Sequence, residues 1–311
     1  MSHFFCIFPR LYKENNRTKP LMTSVIENLS EISSNYSAMF VDLWGCLHDG
    51  YSPFFEATKA LTDYRKKGGI VILVTNAPRH RKSVEKQIDK IGIDPSCWDA
   101  IATSGDSARY GLFSGLIGRK IYFIGQPHDL NFFDPPSYSA RYDKIELVSV
   151  NQADGVVCCG PFNPLIPPNQ NLDDLIIARK RGLALLCANP DIVVDRGNRR
   201  EWCAGALAAE YTNLGGKSLY FGKPHKPIYD LARKRLSDLS LNIPDHKILC
   251  VGDGILTDVT GAINNKLDSL FISGGLAASE TKTEYQPDET FLEQFLQKEN
   301  CNPKWTIGKL R

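Results

Sequence analysis

The chain has 311 residues, 42% apolar and 23% charged, with a formal net charge of +2; that is ordinary for a soluble globular protein and long enough for two domains of roughly 100–200 residues each. The near-neutral balance gives no ground to expect nucleic acid or an anionic membrane as partner, and no apolar run approaches the ~18–20 residues a membrane span needs. Nine cysteines are present, an odd number without a CxxC pair, and Cys46, Cys187 and Cys250 sit in apolar runs, so they read as buried free thiols in a reducing, cytoplasmic setting.

Residues 1–21 begin with a short aromatic cluster (Phe4, Phe5, Phe8) and continue polar and basic. They lack an adequate signal-peptide core and a small-residue cleavage site. They read as a disordered extension, or as a start placed too early with Met22 as the alternative, and stand outside the fold. The patterning then predicts a short amphipathic helix over Val25–Ile32, a buried strand over Ala38–Leu43, and a helix over Ala57–Lys67 with Ala57, Leu61 and Tyr64 on one face. Gly68-Gly69 ends that helix. A second buried strand follows at Ile70–Val74, a helix at Lys82–Ile91 and a strand at Ile101–Thr103, after which Ser104-Gly105 breaks the pattern. This alternation predicts a parallel sheet with right-handed crossovers.

A new α/β unit is expected from about residue 108 to 215. It has strands at Lys120–Ile124, Gly155–Cys159 and Leu183–Ala188, a Pro- and Tyr-rich loop at Pro127–Tyr142, and a helix at Asp173–Lys180. The first unit resumes with a strand at Ser218–Gly222, a helix at Pro227–Leu236, and strands at Ile248–Gly252 and Ser269–Ile272. The tail after residue 277 is polar, with one amphipathic helix at Phe291–Gln297. The expected domains are thus 22–107 with 216–311, interrupted by 108–215.

Polar residues fall at the carboxyl ends of the strands predicted for the first unit: Asp42, Thr75 with Asn76, Lys223, and Asp253 with Asp258. Singly each has a plain explanation, as a helix cap, a turn residue or a solvated loop residue. Together on one sheet edge, where open parallel sheets bind ligands, they suit phosphate chemistry. Asp42 can act as a nucleophile that forms an aspartyl-phosphate. Lys223, the Thr75 hydroxyl, the Asn76 side chain and the turn amides after Asp42 can neutralise a phosphoryl group in transfer. Asp42, the backbone carbonyl of Trp44 and Asp253 make an oxygen site for Mg²⁺, with Asp258 anchoring Lys223 or water.

The segments Asp42-Leu-Trp-Gly-Cys-Leu-His-Asp-Gly50, Leu73-Val-Thr75-Asn76, Phe221-Gly-Lys223-Pro224 and Val251-Gly-Asp253-Gly-Ile-Leu-Thr-Asp258 resemble motifs I to IV of the haloacid dehalogenase-like (HAD) superfamily. Asn189-Pro190-Asp191 followed by Gly205-Ala206-Leu207 resembles the end of the class IIA cap in NagD-like and pyridoxal-phosphate-phosphatase-like members. The resemblance spans roughly residues 35–275. It implies a Rossmann-like α/β core with an inserted α/β cap, and Mg²⁺-dependent hydrolysis of the phosphate monoester of a small metabolite. One position departs from it. The second aspartate of motif I, the usual general acid and base, is Trp44, as in an Asp-x-Trp-Gly branch of class IIA. The metal site survives this, because its ligand there is a carbonyl; acid–base help, typically worth about 10²–10⁴ in rate, does not.

Three readings of the departure stand side by side: His48 or Asp49 substitutes, the leaving group needs no acid, or the protein binds a phosphorylated ligand or a protein partner without turnover. An aromatic at this position also occurs in dehalogenases, but those lack the metal aspartate that Asp253 supplies. Asp195–Trp202 reads either as a solvated charged loop or as a specificity loop, with Arg196, Arg199 or Arg200 pairing with an anionic group and Trp202 stacking on a ring. Relatives with such caps dimerise through them, which makes a homodimer possible here.

Overall fold

The computed structural model describes residues 23–136, 144–168, 172–196, 199–239 and 242–311; the expected extension over 1–21 lies outside them, as does part of the Pro127–Tyr142 loop. In chain order the elements are β1 (Ser24–Val25), α1 (Ser30–Ser33), β2 (Ala38–Val41), α2 (Phe55–Lys66), β3 (Ile70–Thr75), α3 (Arg81–Ile91), β4 (Ala100–Thr103) and α4 (Ser104–Phe113). Then follow β5 (Lys120–Ile124), β6 (Glu146–Leu147), β7 (Gly155–Cys158), α5 (Leu172–Lys180), β8 (Ala184–Cys187), β9 (Val193–Arg196), β10 (Arg199–Trp202), α6 (Ala204–Asn213) and β11 (Lys217–Tyr220). The chain ends with α7 (Lys226–Leu239), β12 (Ile248–Gly252), α8 (Thr260–Asn264), β13 (Asp268–Ile272), α9 (Glu289–Lys298) and β14 (Trp305–Ile307).

Two sheets organise these elements. The first has the order β1-β14-β13-β12-β2-β3-β4 and is parallel throughout. Its strands read as continuous apolar runs because both faces are covered. Met39, Val41, Leu73, Leu249, Val251 and Leu270 enter the core on one face, while Ala38, Phe40, Ile72, Val74, Ile248 and Cys250 enter the core on the other. That is the period-two alternation of a strand. The second sheet, β11-β8-β7-β5-β6, is also parallel and is likewise sandwiched, between one cluster that includes Leu207 and Tyr211 of α6 and another that includes Ala108 and Leu112 of α4. The doubly wound, mostly parallel α/β architecture is the one expected.

Several expectations need correction. Val25–Ile32 is not one helix: Ser24 and Val25 pair with Trp305 and Thr306 as the edge of the first sheet, and only Ser30–Ser33 is helical. Pairing with a strand at the far end of the chain outweighs local helix propensity, and the tail therefore contains a strand, β14, that its short sequence does not advertise. Ser104-Gly105 does not break the pattern but starts α4, capped by the Thr103 hydroxyl, which accepts the Asp106 N–H at 2.9 Å. The strand at 217–220 does not return to the first sheet; it is the edge of the second, hydrogen-bonded to β8. Asp195–Trp202 is no loop: most of it belongs to an antiparallel hairpin, β9 with β10.

β2 lies between β12 and β3 in the first sheet. The chain leaves β2 toward β3 on one side and reaches β12 only much later on the other. The crevice beyond their carboxyl ends is the topological switch point where open α/β sheets take their ligands.

Candidate active site

Asp42 follows β2 directly, and its N–H donates to the Val251 carbonyl at 2.8 Å, so the ladder to β12 runs right up to the acid. The next turn is tight, with the Leu43 carbonyl accepting the N–H groups of Leu47 at 2.8 Å and His48 at 3.3 Å. Gly45 turns at φ +75°, and a Cβ there would stand 2.1 Å from Asp253 Oδ2, so only glycine lets this turn pass the second acid. Asp253 follows β12, and its Oδ2 accepts the Leu276 N–H at 3.0 Å from the loop after β13. A widened helical turn, Ile255–Val259, then brings Asp258 back, where Oδ2 accepts from the Gly254 N–H at 3.2 Å and the Thr257 hydroxyl at 3.1 Å.

Lys223 joins the two ends. Its Nζ lies 2.6 Å from Asp42 Oδ1 and 2.8 Å from Asp258 Oδ1. It arrives on the connection from β11 of the second sheet to α7 of the first, and Asn76 clamps it there. The Lys223 N–H donates to Asn76 Oδ1 at 2.7 Å, and Asn76 Nδ2 donates to the Lys223 carbonyl at 3.2 Å and to Asp191 Oδ1 at 2.8 Å. Gly222 lets the connection approach, since a Cβ there would meet Asn76 Oδ1 at 2.4 Å.

Two buried carboxylates, Asp42 and Asp258, thus hold one buried ammonium, and Asp253 is a third buried acid beside Asp42; all four groups are less than 10% exposed. Burial works against the Lys223 charge, but Asp258 and then Asp42 outweigh it and hold the ammonium. Burial pushes the Asp42 carboxyl well up, and the neighbouring acids add to this while Lys223 opposes it. Burial, then Asp258, raises Asp253 to about 7. Such an excess of buried negative charge is costly unless a cation joins it. Asp42, Asp253 and Cys46 each offer a ligand atom within 4.8 Å of the others. The carbonyl of Trp44 takes no backbone hydrogen bond among the described residues. The donors fit a small divalent ion.

The structure therefore brings Asp42, Lys223, Asp253 and Asp258 together, as expected. Thr75 ends β3, buried, and its Oγ1 accepts the Ala77 N–H at 3.3 Å, which leaves its proton free to donate. Asn76 is a correction. Both ends of its amide are engaged, so it positions Lys223 rather than offering itself to phosphate.

The proposed stand-ins for the missing acid fail on chemistry. Burial lowers His48 to about 4, so its ring is neutral at pH 7, and its Nδ1 accepts the Gly50 N–H at 2.9 Å. Asp49 is exposed, and the Ser52 and Tyr51 N–H groups hold it ionised. Trp44 packs on its own loop, edge-on to His48 at 5.1 Å and against Gly50, where a Cβ would lie 2.4 Å from the indole.

In the hairpin, Arg199 is exposed and Trp202 half-buried; the Trp202 N–H donates to the Pro164 carbonyl at 2.8 Å. No described hydrogen bond or ion pair joins either side chain to the carboxylates, and the Arg196 side chain lies outside the described residues. His225 stacks on Tyr220, Lys226 pairs with Asp230 on the surface, and His80 caps α3. Sequence reasoning took Cys46 for a plain core thiol and gave Asp191 no role at the site. Only the fold shows Cys46 beside the Asp42 and Asp253 carboxylates and Asp191 on the Asn76 amide.

Two family descriptions match the chain: haloacid dehalogenase-like hydrolase over residues 39–135 and HAD-hydrolase-like over residues 220–297. A crystal structure described as a hydrolase of the haloacid dehalogenase-like family from Brucella suis 1330 is 37% identical, covering 92% of this chain and 100% of its own, with a TM-score of 0.79. A possible sugar phosphatase of the HAD superfamily from Cytophaga hutchinsonii shares the fold at 20% identity and a TM-score of 0.71, over 93% of this chain and 98% of its own. The 5'-nucleotidase YutF of Bacillus subtilis (strain 168) is 21% identical over 263 residues, 82% of this chain and 92% of its own length.

Proposed function

The chain belongs to the haloacid dehalogenase-like hydrolase family, and from that premise we propose that it is a Mg²⁺-dependent phosphatase acting on the phosphate monoester of a small metabolite. The observation that carries this reading is the buried Lys223 ammonium bridging Asp42 and Asp258, with a third buried acid, Asp253, beside Asp42. There Asp42 has one oxygen held by Lys223 and the other left for attack. The names of the nucleotidase and sugar-phosphatase relatives support the reaction class. The same reading makes the first sheet the core and the second sheet a class IIA cap, with pairing of caps as the route to a homodimer.

The chemistry follows from the residues. Asp42 Oδ2 attacks phosphorus and the bond to the leaving oxygen breaks, giving an aspartyl-phosphate. Water then attacks that phosphorus, the Asp42 carboxylate departs, and inorganic phosphate is released. Lys223 and the Thr75 hydroxyl neutralise the equatorial oxygens. Asp42, Asp253 and the Trp44 carbonyl would hold Mg²⁺, which supplies further charge neutralisation. Asp258 keeps Lys223 aimed. No side chain of the motif I loop protonates the leaving oxygen, so that proton comes from water.

Without that acid a slow enzyme suits esters with good leaving groups, and the second reading is a phosphate binder without turnover. A panel of 4-nitrophenyl phosphate and alkyl, sugar and nucleoside phosphates, with and without Mg²⁺, separates the two. Turnover that requires Mg²⁺ and is steeply faster for the better leaving group is the expected result. Binding of phosphate or vanadate without turnover of any ester would leave the binder. Trp44→Asp supplies an acid, and its gain should be greater for alkyl esters than for 4-nitrophenyl phosphate, up to the ~10²–10⁴ that such catalysis provides. Equal gains for both would show that Trp44 acts otherwise.

The raised carboxyl of Asp253, at about 7, lies above the ~3.9 of an unfolded aspartate. The folded metal-free protein holds that proton more tightly, so its stability falls as pH rises between those values. Thermal melts should show a lower Tm at pH 8 than at pH 5, and saturating Mg²⁺ should restore more at pH 8, where no proton competes for the ligands. A larger Mg²⁺ effect at pH 5 would contradict this assignment of the site.

A further inference from the structure

One side chain beside the cation position has no task in the phosphatase reading, on which this inference rests only for the placement of an ion between Asp42 and Asp253. Cys46 is 1% exposed, and its Sγ, one carboxylate oxygen of Asp42 and one of Asp253 all lie within 4.8 Å of one another. A single ion can therefore come within about 2.8 Å of all three, and small side-chain movements close this to the ~2.3 Å of a Zn–S bond and the ~2.0–2.2 Å of Zn–O bonds. The main chain sets the place of the thiol: the positive-φ turn at Gly45 carries the backbone past Asp253 and leaves Cys46 beside both acids. Its Sγ makes no hydrogen bond among those described. Mg²⁺ takes oxygen ligands and passes a thiol by, whereas thiolate selects softer ions.

We propose that Cys46 is a third protein ligand at this centre and lets it take a thiophilic divalent cation of the Zn²⁺ class, held by Asp42, Asp253 and the Cys46 thiolate, in competition with Mg²⁺. Binding forms a metal–sulfur bond and breaks the S–H bond, whose proton leaves to solvent; nothing is oxidised or reduced. The occupied site draws Asp42 into a tighter coordination sphere and stops hydrolysis.

Cd²⁺ is the probe, because cadmium thiolates absorb in the ultraviolet through sulfur-to-metal charge transfer and Mg²⁺ complexes do not. Titrating the metal-free full-length protein should give a band that saturates at one equivalent and needs more Cd²⁺ when Mg²⁺ is present. Cys46→Ser should lack the band while keeping its melting transition, and Asp253→Asn should weaken the band. Loss of an outer partner already costs about 10–100-fold in metal affinity, so loss of a direct ligand should raise the Cd²⁺ needed for half-inhibition at least about tenfold. A band unchanged in Cys46→Ser, as Cys158 or Cys187 of the second sheet would produce, or no band at all, overturns the proposal. A Cys46-dependent band without turnover of any ester would uphold it and remove the phosphatase reading. Turnover without the band would do the reverse.

Discussion

Asp42→Asn should abolish Mg²⁺-dependent turnover, by about 10³-fold or more, and should not lower the Tm of the metal-free protein. The two halves of this result have one cause. In the proposed reaction Asp42 attacks phosphorus, and a neutral amide cannot take its place. The same acid stands in a site where Asp42, Asp253 and Asp258 oppose only Lys223, and burial with its neighbours pushes its carboxyl well above the usual range. Removing that charge relieves the excess, and Lys223 keeps its partner Asp258 at 2.8 Å. An amide can also still accept from the Lys223 ammonium. Turnover assays paired with melts in chelator test both halves. A variant that loses activity by unfolding would contradict the electrostatic account, and one that retained turnover would remove Asp42 as nucleophile.

Lys223→Met should have the opposite effect on stability. The methionine fills much of the same volume but leaves Asp42 and Asp258 buried without their cation, and a broken buried pair typically costs about 3–5 kcal/mol. For a chain of this size that is on the order of 10 °C in Tm. The sign of the pH dependence follows. Without the ammonium that opposes it, the Asp42 carboxyl rises further, so protonation at pH 5 neutralises it more readily than at pH 8. The deficit against wild type should therefore be smaller at pH 5 than at pH 8, and Mg²⁺ should recover part of it at pH 8. A uniform loss at all pH values would mean that Lys223 stabilises through packing alone. Turnover should fall together with stability at every pH, because the phosphoryl oxygens lose their principal fixed cation.

Much of the core was legible because a buried parallel strand announces itself. Ala38–Val41 and Ile248–Gly252 are unbroken apolar runs that stop at an acid, and a strand covered on both faces needs that composition. The crossover helices were legible for the same reason, with Ala57, Leu61 and Tyr64 at helical spacing. The elements that escaped are those whose residues are held by distant partners. Ser24–Val25 and Trp305–Ile307 are too short to show a pattern, and each is a strand only because the other, or β13, lies beside it. Lys217–Tyr220 reads as a strand in either sheet, and hydrogen bonds to β8 decide which.

The sequence by itself singled out the acids and the lysine that the fold brings together, since their chemistry is a property of residue type and of position at strand ends. Tertiary structure decided what each can still do. The partners of an amide or a thiol come from remote segments: Asn76 is spent on Lys223 and Asp191, while Cys46, a buried thiol in the core, also lies within 4.8 Å of oxygens of Asp42 and Asp253. It also decided the protonation of the cluster, because burial and neighbouring charge, which no single residue carries in its name, move a carboxyl far from its solution value.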